Sequence, residues 1–135
     1  MTAEIFMIHE NPEWLPPFES AFADRNACFI DWNMADHDLD LGQTPPEGVF
    51  YNRMSASSFT RGHDRVPELT SITLAWLERH GRRVINGSRA LQLEVNKAAQ
   101  YAALEAAGIT VPRTLVGLGF PAITRLLDRF GEGPV

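Results

Sequence analysis

A loop rich in arginine and hydroxyl side chains follows an apolar run near the middle of the sequence. The segment NRMSASSFTRGH, residues 52–63, contains Arg53 and Arg61 together with the hydroxyl groups of Ser55 and Ser57. A guanidinium group binds a carboxylate or a phosphate through two parallel hydrogen bonds, and hydroxyls and backbone amides complete such a site. The segment therefore predicts an anion-binding loop, although the same composition is also typical of a polar surface loop.

Lys97 is the one lysine in the stretch VINGSRALQLEVNKAAQYAALEAAGITVPRT. Asn96 has the residue type of a helix cap, which makes Lys97 the first residue of the predicted helix. The helix dipole is positive at this end, so a cation there is mildly unfavourable. A lysine in that place is a candidate for binding phosphate, which the helix N-terminus also favours. The alternative is an ordinary surface lysine.

Two further groups of polar residues have weaker patterns. His9 and Glu10 follow the first apolar run and have the residue types of an acid–base pair, but polar residues are common at the ends of strands. Carboxylates and one histidine, which are metal-binding residue types, cluster after the second apolar run: Asp31, Asp36, His37, Asp38 and Asp40. Their spacing matches no metal motif, so a solvated acidic loop and no metal site are predicted.

Short apolar runs that alternate with helical patterns position these residues. Five runs are predicted as strands because they are short, apolar and bounded by turn residues: 3–9, 27–34, 49–54, 82–86 and 113–117. Caps, apolar faces and terminal glycines predict helices: 16–26, 66–80, a short one capped by Ser88, 96–107 and 120–130. The alternation predicts an α/β fold with a parallel sheet covered by helices, and ligands at the carboxyl ends of its strands.

Apolar spacing also predicts which side chains are buried. In the helix 66–80, four residues share one predicted buried face: Leu69, Ile72, Trp76 and Leu77. Gly81 and Gly108 are predicted to end their helices in the left-handed conformation. Cys28 lies in the apolar run ACFI and is predicted to be a reduced core residue.

Composition and charge exclude several classes of protein. The 135 residues carry a formal net charge of −5, which argues against a nucleic-acid-binding face and against attraction to anionic membranes. No apolar run approaches the roughly 20 residues that a membrane-spanning helix requires. No basic segment precedes an apolar stretch at the N-terminus, so no secretion signal is expected. These features predict a cytoplasmic protein with no nucleic-acid or membrane partner.

An ordered set of motifs between residues 49 and 114 resembles a known enzyme family. Arg53 opens an R-x-x-A-S-like loop, a helix follows, and the run RRVINGS ends a strand in asparagine. Lys97 then opens a helix that leads to GITVPRT. This order is similar to that of ATP-grasp ligases of the ribosomal-protein glutamate ligase and glutathione synthetase kind. Over residues 1–48 the resemblance is one of architecture.

The resemblance implies an enzyme that joins a carboxylate to an amine. In such ligases ATP and Mg²⁺ convert the carboxylate to an acyl phosphate, which the amine attacks, and catalysis depends on positioning and charge neutralisation. Lys97 matches a lysine that contacts the ATP phosphates. The residues predicted to bind a small-molecule or peptide carboxylate follow the third and fourth strands: Arg53, Ser55, Ser57, Arg61 and Asn86.

The nucleotide clamp of the family has no counterpart in this sequence. In the family a second phosphate-binding lysine, a glycine-rich loop and acidic Mg²⁺ ligands follow, whereas this chain ends in GEGPV. Residues 1–95 are therefore predicted to form a Rossmann-like pre-ATP-grasp domain, and residues 96–135 the truncated beginning of an ATP-grasp domain. The chain alone is predicted to be inactive, with neither ATP nor Mg²⁺ bound. Its expected partners are the remainder of the ATP-grasp domain and, through the apolar face of the last helix, a second copy in a homodimer.

Two interpretations from other classes remain. A stand-alone, non-catalytic α/β binding module would use the same loop to capture an anionic peptide or metabolite. A receiver-like signalling domain would need carboxylates at the end of the first strand and an aspartate at the end of a central strand. Glu10 is available for the first requirement, but the third strand ends in Asn52 and Arg53, which argues against the signalling domain.

Overall fold

The computed structural model of the protein describes residues 4–130, and the chain divides into two compact units. The first unit is Met1–Val95 and the second is Asn96–Val135. Within residues 4–130, the first unit contains a parallel sheet and three α-helices, and the second contains two α-helices. The C-terminal run GEGPV, on which part of the sequence interpretation depends, lies outside the described residues.

The first unit is built on a sheet whose strands are all parallel. The strands are β1 Ile5–His9, β2 Ile30–Asn33, β3 Val49–Asn52 and β4 Arg83–Ile85. Their order across the sheet is β2-β1-β3-β4, so β2 lies to one side of β1, and β3 and β4 lie to the other. This arrangement confirms the predicted α/β fold with a parallel sheet. It also places a topological switch point between β1 and β3.

Three α-helices accompany this sheet: α1 Pro16–Ala23, α2 Val66–Arg79 and α3 Ser88–Val95. α1 has prolines in its first turn, as predicted, where the missing N–H costs no hydrogen bond. Short 3₁₀ segments follow the first three strands: Pro12–Trp14, Met34–Asp36 and Ala56–Arg61. The third of these segments gives regular structure to the loop that carries the predicted anion-binding residues.

The core of the first unit lies between the sheet and α2. Phe6, Ile8 and Phe50 from the two central strands are buried in one cluster with Leu74 and Leu77 of α2. Phe6 and Phe50 are directly opposite each other in the β1–β3 register, and their rings stack with centroids 4.6 Å apart. Residues in the same register share a face of the sheet, so β1 and β3 present one apolar surface to the helix. This packing fixes the two strands that flank the switch point.

The buried side of α2 differs in part from the predicted one. Trp76 and Leu77 are buried as predicted, but Ile72 is 45% exposed. Thr73 is fully buried instead, and its hydroxyl donates to the carbonyl of Leu69 at 2.9 Å. This bond satisfies the polar group inside the helix, so threonine can occupy a core position. The prediction considered only apolar side chains, so it placed Ile72 instead of Thr73 on the buried face of α2.

Two local predictions for the first unit are wrong. Cys28 is exposed rather than buried, because β2 begins only at Ile30 and the preceding residues are irregular. Ser88 is the first residue of α3 rather than its cap. Its backbone N–H donates to the carboxylate of Glu78 at 2.8 Å. A side chain from α2 therefore satisfies a free backbone group at the start of α3.

The second unit contains α4 Lys97–Ala106 and α5 Phe120–Phe130. Asn96 caps α4 as predicted, since its side-chain oxygen accepts a hydrogen bond from the backbone N–H of Ala99 at 3.0 Å. Residues 113–117, predicted as a strand, are irregular. A strand needs a neighbour to receive its backbone hydrogen bonds, and between residues 96 and 130 no other strand is present. The apolar run alone was an insufficient signal.

Glycines end two of these helices as predicted. Gly81 follows α2 with φ of 70°, and Gly108 follows α4 with φ of 76°. Both angles lie in the left-handed region, where a side chain beyond hydrogen is disfavoured. The chain can therefore leave each helix without strain at these positions.

No helix within residues 4–130 has the length and apolar composition that a membrane crossing requires.

Candidate functional site

Polar side chains follow three strands at the carboxyl edge of the sheet. Glu10 follows β1, Arg53 follows β3 and Asn86 follows β4. The backbone N–H of Arg53 donates to the carbonyl of Ile8 at 2.7 Å, which continues the β1–β3 pairing just beyond the end of β3. Parallel α/β sheets bind ligands at this edge, near the switch point. The sheet therefore brings the predicted residues to its ligand-binding edge.

A cleft of about 680 Å³ opens at this edge within the first unit. Trp14, Pro17, Phe18, Met54 and Leu91 supply apolar surface to its walls. Two carboxylates, from Glu13 and Glu94, also line it. Its size and its mixture of apolar walls with a few polar groups are those of a small-molecule site.

Three of the five residues predicted to bind substrate line this cleft: Arg53, Ser55 and Asn86. Arg53 is the one cation among the lining residues. The other two predicted residues, Ser57 and Arg61, are not part of the lining. Their contribution to substrate binding remains a prediction.

Arg53 is exposed, and its guanidinium lies over the ring of Phe18 with 5.2 Å between the guanidinium carbon and the ring centroid. This cation–π contact holds the side chain along the cleft wall while its N–H groups stay available. Ser55 caps the 3₁₀ turn, because its hydroxyl accepts a hydrogen bond from the backbone N–H of Ser57 at 3.2 Å. The turn therefore fixes the loop that both Arg53 and Ser55 belong to.

Asn52 and Asn86 join the ends of β3 and β4 through reciprocal hydrogen bonds. The side-chain amide of Asn52 donates to the carbonyl of Asn86 at 2.9 Å, and that of Asn86 donates to the carbonyl of Asn52 at 3.1 Å. Asn86 adopts a left-handed backbone with φ of 59°, which asparagine tolerates better than most residues. The hydrogen bond to the carbonyl of Asn52 uses one of the two N–H groups of the Asn86 amide, so its second N–H and its side-chain oxygen are the groups it can offer to a ligand.

Glu10 is completely buried, and two side chains from the loop after β3 neutralise it. Arg61 donates to both carboxylate oxygens, with its Nε 3.1 Å from Oε2. The Nδ1 atom of His63 lies 3.0 Å from Oε2. Burial raises the pKa of Glu10, whereas the hydrogen bonds and charges of Arg61 and His63 together lower it by more. The pKa of Glu10 is therefore below its usual value, and the carboxylate is charged in the folded protein.

His9 and Glu10 do not form the acid–base pair considered from the sequence. The Nε2 atom of His9 lies 2.6 Å from a carboxylate oxygen of Asp31, while Glu10 contacts Arg61 and His63. Both His9 and Glu10 are fully buried, so neither presents a proton to solvent. The two adjacent residues thus have separate side-chain partners.

A second cleft of about 760 Å³ is lined by Met34–Asp38 and by Gly62–Val66 with Leu69. Burial lowers the pKa of His37, and the charge of Asp38 partly opposes this effect. No group of three His, Cys, Asp or Glu side chains within residues 4–130 is arranged to hold a metal ion.

Lys97 is the first residue of α4, as predicted, and its side chain is exposed. Its ammonium donates to the side-chain oxygen of Gln100 at 3.0 Å, within the first turn of the helix. A contact of this kind on the surface is weak and is easily exchanged for a ligand.

Sequence reasoning missed the aromatic walls of the cleft and the role of His63. Trp14 ends the 3₁₀ turn Pro12–Trp14, and Phe18 lies near the start of α1. Both belong to the connection that leaves the carboxyl end of β1, and this place in the sequence is a usable signal. The pairing of Glu10 with His63 joins residues far apart in sequence, and no local pattern marks it.

Solved structures relate this fold to ATP-grasp enzymes. A crystal structure of a RimK domain protein ATP-grasp from Sphaerobacter thermophilus DSM 20745 matches with a TM-score of 0.69 and 20% identity, covering 96% of this chain and 46% of that chain. The structure of the ATP-grasp ligase PsnB complexed with minimal precursor matches with a TM-score of 0.58 and 20% identity, covering 97% of this chain and 54% of that chain.

The chain thus has the fold of the N-terminal part of ATP-grasp structures, and it spans about half the length of the chains it matches. No protein-family model and no curated protein sequence matches it. At this level of identity the likeness is one of fold, and it agrees with the predicted resemblance.

Proposed function

We propose that the chain is the substrate-side part of an ATP-dependent carboxylate–amine ligase, and that its first cleft binds the carboxylate to be activated. The observation that carries this proposal is Arg53. It is the one cation that lines the cleft, and it directly follows a strand that flanks the switch point. The fold of the N-terminal part of ATP-grasp structures supports the proposal.

Arg53 has the chemistry that a carboxylate needs during activation. Its guanidinium offers parallel N–H donors that match two carboxylate oxygens, and the Ser55 hydroxyl lies in the same cleft. In the proposed reaction a carboxylate oxygen attacks the γ-phosphorus of ATP, and the bond from that phosphorus to ADP breaks. Arg53 holds the carboxylate in place and offsets the negative charge that gathers around it.

The second half of the proposed reaction transfers the acyl group. The nitrogen of the amine attacks the acyl carbon, the bond from that carbon to the phosphate oxygen breaks, and phosphate leaves with the electron pair. The amine loses a proton, and an amide remains. No residue of this chain is assigned as a catalytic acid or base in these steps.

Lys97 is proposed as a contact to the ATP phosphates. It opens α4, where backbone N–H groups and the helix dipole also favour an anion. Among the residues that the structure describes, none form a cluster suited to Mg²⁺. No step is therefore assigned to a metal held by this chain.

We further propose that residues 1–95 form the pre-ATP-grasp domain and that residues 96–135 begin an ATP-grasp domain. The division between the two compact units after Val95 supports this boundary. The proposal requires the remainder of an ATP-grasp domain as a partner and a cytoplasmic supply of ATP. The chain alone is expected neither to hydrolyse ATP nor to form an amide.

Binding of a dicarboxylate tests the cleft directly. Glutarate and glutamate are titrated into the purified chain, and amide and side-chain resonances are followed by NMR. We expect saturable shifts at Arg53 and Ser55. Arg53→Gln should weaken binding by roughly 10-fold or more, since it removes charge-assisted hydrogen bonds. Arg79→Gln is the matched control, because Arg79 is exposed at the end of α2 and lines no cleft described above.

Two outcomes would contradict this proposal. Equal binding by the wild-type chain and Arg53→Gln would remove Arg53 from the site. Turnover of ATP with amide formation by the 135-residue chain alone would show that it is a complete enzyme. Glutarate or glutamate binding without any ATP turnover, both by the chain alone and by a protein that joins it to a nucleotide clamp, would instead favour the non-catalytic binding module.

The role of Lys97 is tested in a protein that joins this chain to a complete nucleotide clamp. Lys97→Ala should reduce the apparent affinity for ATP or the rate by roughly 10- to 150-fold, as expected for a lost charge-assisted contact. Arg53→Ala should act on the carboxylate substrate and leave ATP dependence nearly unchanged. Steady-state kinetics with each substrate varied separately distinguishes the two effects. An unchanged ATP dependence in Lys97→Ala would make Lys97 an ordinary surface residue.

A further inference from the structure

Glu10 is a fully buried carboxylate that lines neither of the two clefts. A buried charge is retained only when hydrogen bonds and opposite charges compensate for the lost water. Both compensating groups, Arg61 and His63, come from the loop that begins with Arg53. Glu10 itself follows β1, one of the two central strands, which pairs with β2 and β3. The carboxylate therefore ties the anion-binding loop to the centre of the sheet.

Arg61 extends this connection to one wall of the first cleft. Its guanidinium donates to both oxygens of the Glu10 carboxylate and also lies over the ring of Trp14, with 5.0 Å between the guanidinium carbon and the ring centroid. Trp14 lines the cleft. A guanidinium can serve both contacts at once because its donors lie at the edge and its charge is open at the face.

The same arginine also approaches a pair of hydroxyls next to the cleft. Nη2 of Arg61 lies 3.4 Å from the hydroxyl of Ser57, and that hydroxyl lies 2.9 Å from the hydroxyl of Ser55. Ser55 lines the cleft. One interior carboxylate thus orients an arginine that contacts the ring of Trp14 and the hydroxyl of Ser57, which in turn contacts Ser55.

We propose that Glu10 is a positioning residue for the carboxylate site, and that it acts through Arg61 on Trp14 and on the Ser55–Ser57 pair. This inference rests on the proposed function of the first cleft. It assigns Arg61 a structural part in the site in place of direct contact with the substrate. Arg53 is then the cation that binds the ligand, and Arg61 is the cation that orients Trp14 and the Ser55–Ser57 pair.

The direction in which Glu10→Gln changes anion affinity distinguishes a positioning role from a purely electrostatic one. Glu10→Gln removes a negative charge from the neighbourhood of the cleft. If charge alone mattered, or if Arg61 bound the ligand itself, this change would free a cation and strengthen the binding of an anion. If Glu10 positions the walls, the same change weakens binding although the site becomes more positive.

The experiment measures two quantities on the full chain, with glutarate as the probe. The first is the position of the Trp14 side-chain N–H resonance without ligand, assigned with Trp14→Phe. The second is the dissociation constant for glutarate. We expect Glu10→Gln to move the Trp14 resonance, to leave those of Trp32 and Trp76 in place, and to raise the dissociation constant roughly 10-fold.

Arg61→Lys supplies a second variant that is less disruptive to folding, because the Arg61 side chain is partly exposed. It keeps the positive charge and loses the planar fork, so positioning predicts a shifted Trp14 resonance and weaker binding. Arg65→Gln is the matched control, since Arg65 lies just after this loop and pairs with Glu68 on the surface. It should change neither quantity.

Each result separates this inference from the proposed function. Tighter or unchanged glutarate binding in Glu10→Gln and Arg61→Lys, with the Trp14 resonance unmoved, overturns the positioning role. A shifted Trp14 resonance in both variants supports the connection from Glu10 to the cleft wall even if wild-type protein fails to bind glutarate. If the wild type does not bind glutarate, the proposed function is wrong, but Glu10 is still the residue that orients Trp14.

Discussion

The two compact units of the chain have equally regular helices but differ in what their apolar side chains contact. In the first unit, Leu74 and Leu77 of α2 are completely buried in the core. In the second unit, Phe120 and Leu127 of α5 are 82% and 68% exposed. Within residues 96–130 no residue is buried.

The difference shows that an amphipathic pattern predicts a helix more reliably than it predicts a core. α5 has its apolar residues on one side, as a core-facing helix does. α2 gains its stability from the apolar surface of β1 and β3, whereas the described part of the second unit contains no sheet to cover α5. The same kind of sequence pattern therefore has two structural outcomes.

The largest expected effect tests the core of the first unit. Phe50 is fully buried and stacks on Phe6, so Phe50→Ala should lower the free energy of unfolding by roughly 3–5 kcal/mol. Phe120→Ala makes the same chemical change on exposed α5 and should alter it by no more than about 0.5 kcal/mol. Urea denaturation of both variants provides the comparison. Similar losses would mean that α5 is packed in solution.

The next effect concerns pH and the interior charge of the first unit. The pKa of Glu10 in the folded protein lies below its unfolded value near 4.5. Its ion pairs therefore stabilise the fold above that pH, and the stabilisation is lost as the pH falls through the folded pKa. Glu10→Gln should cost roughly 2–3 kcal/mol at neutral pH and less in acid, because it removes charge-assisted hydrogen bonds.

Unfolding measured between about pH 7 and pH 3 checks this dependence. Glu68→Gln is the control, since it removes a carboxylate from an exposed ion pair and should cost at most about 1 kcal/mol. A wild-type protein and a Glu10→Gln variant with parallel pH profiles would show that Glu10 contributes no charge-dependent stability.

Hydrogen exchange provides a residue-level view of the same comparison. Backbone amides of β1 and β3 should exchange much more slowly than those of α5, because local opening is cheaper where few side chains are buried. The measurement is made at low protein concentration and repeated at high concentration. Protection of α5 that appears only at high concentration would support a homodimer through its apolar face. Equal protection of α5 and β3 at low concentration would contradict the comparison.

The smallest expected effect is on α5 itself. Leu127→Ser should change the free energy of unfolding of the monomer by no more than about 0.5 kcal/mol, because the side chain is mostly exposed. Sedimentation of the wild type and the variant tests whether this surface associates. A loss of several kcal/mol in the monomer would show that Leu127 is covered.

Much of the first unit could be predicted because local signals and long-range packing agree there. The four strands of the sheet follow from apolar runs, and the end of α2 follows from Gly81. The failures occur where a tertiary partner decides the outcome. Residues 113–117 lack a neighbouring strand, and the start of α3 uses the carboxylate of Glu78 instead of the Ser88 hydroxyl.

In the candidate site too, local sequence predicts some features, and a tertiary partner decides others. The positions of Arg53, Ser55 and Asn86 after strands followed from the parallel sheet and needed no knowledge of contacts. Arg61 looked equivalent to Arg53 in the sequence, since both lie in one polar loop. Its bond to Glu10 joins residues 51 positions apart, and only the folded chain reveals which arginine faces the cleft.

The turn at Asn86 also has a chemical consequence. Asparagine followed by glycine is open to deamidation, because the unhindered backbone nitrogen of Gly87 can attack the side-chain amide and expel ammonia. In the folded chain the hydrogen bond from the Asn86 amide to the carbonyl of Asn52 holds that group in place. Ageing of the protein would convert the amide to a carboxylate, remove this bond and set a negative charge inside a cleft proposed to receive an anion. The lifetime of a single amide could thus set the working lifetime of the site.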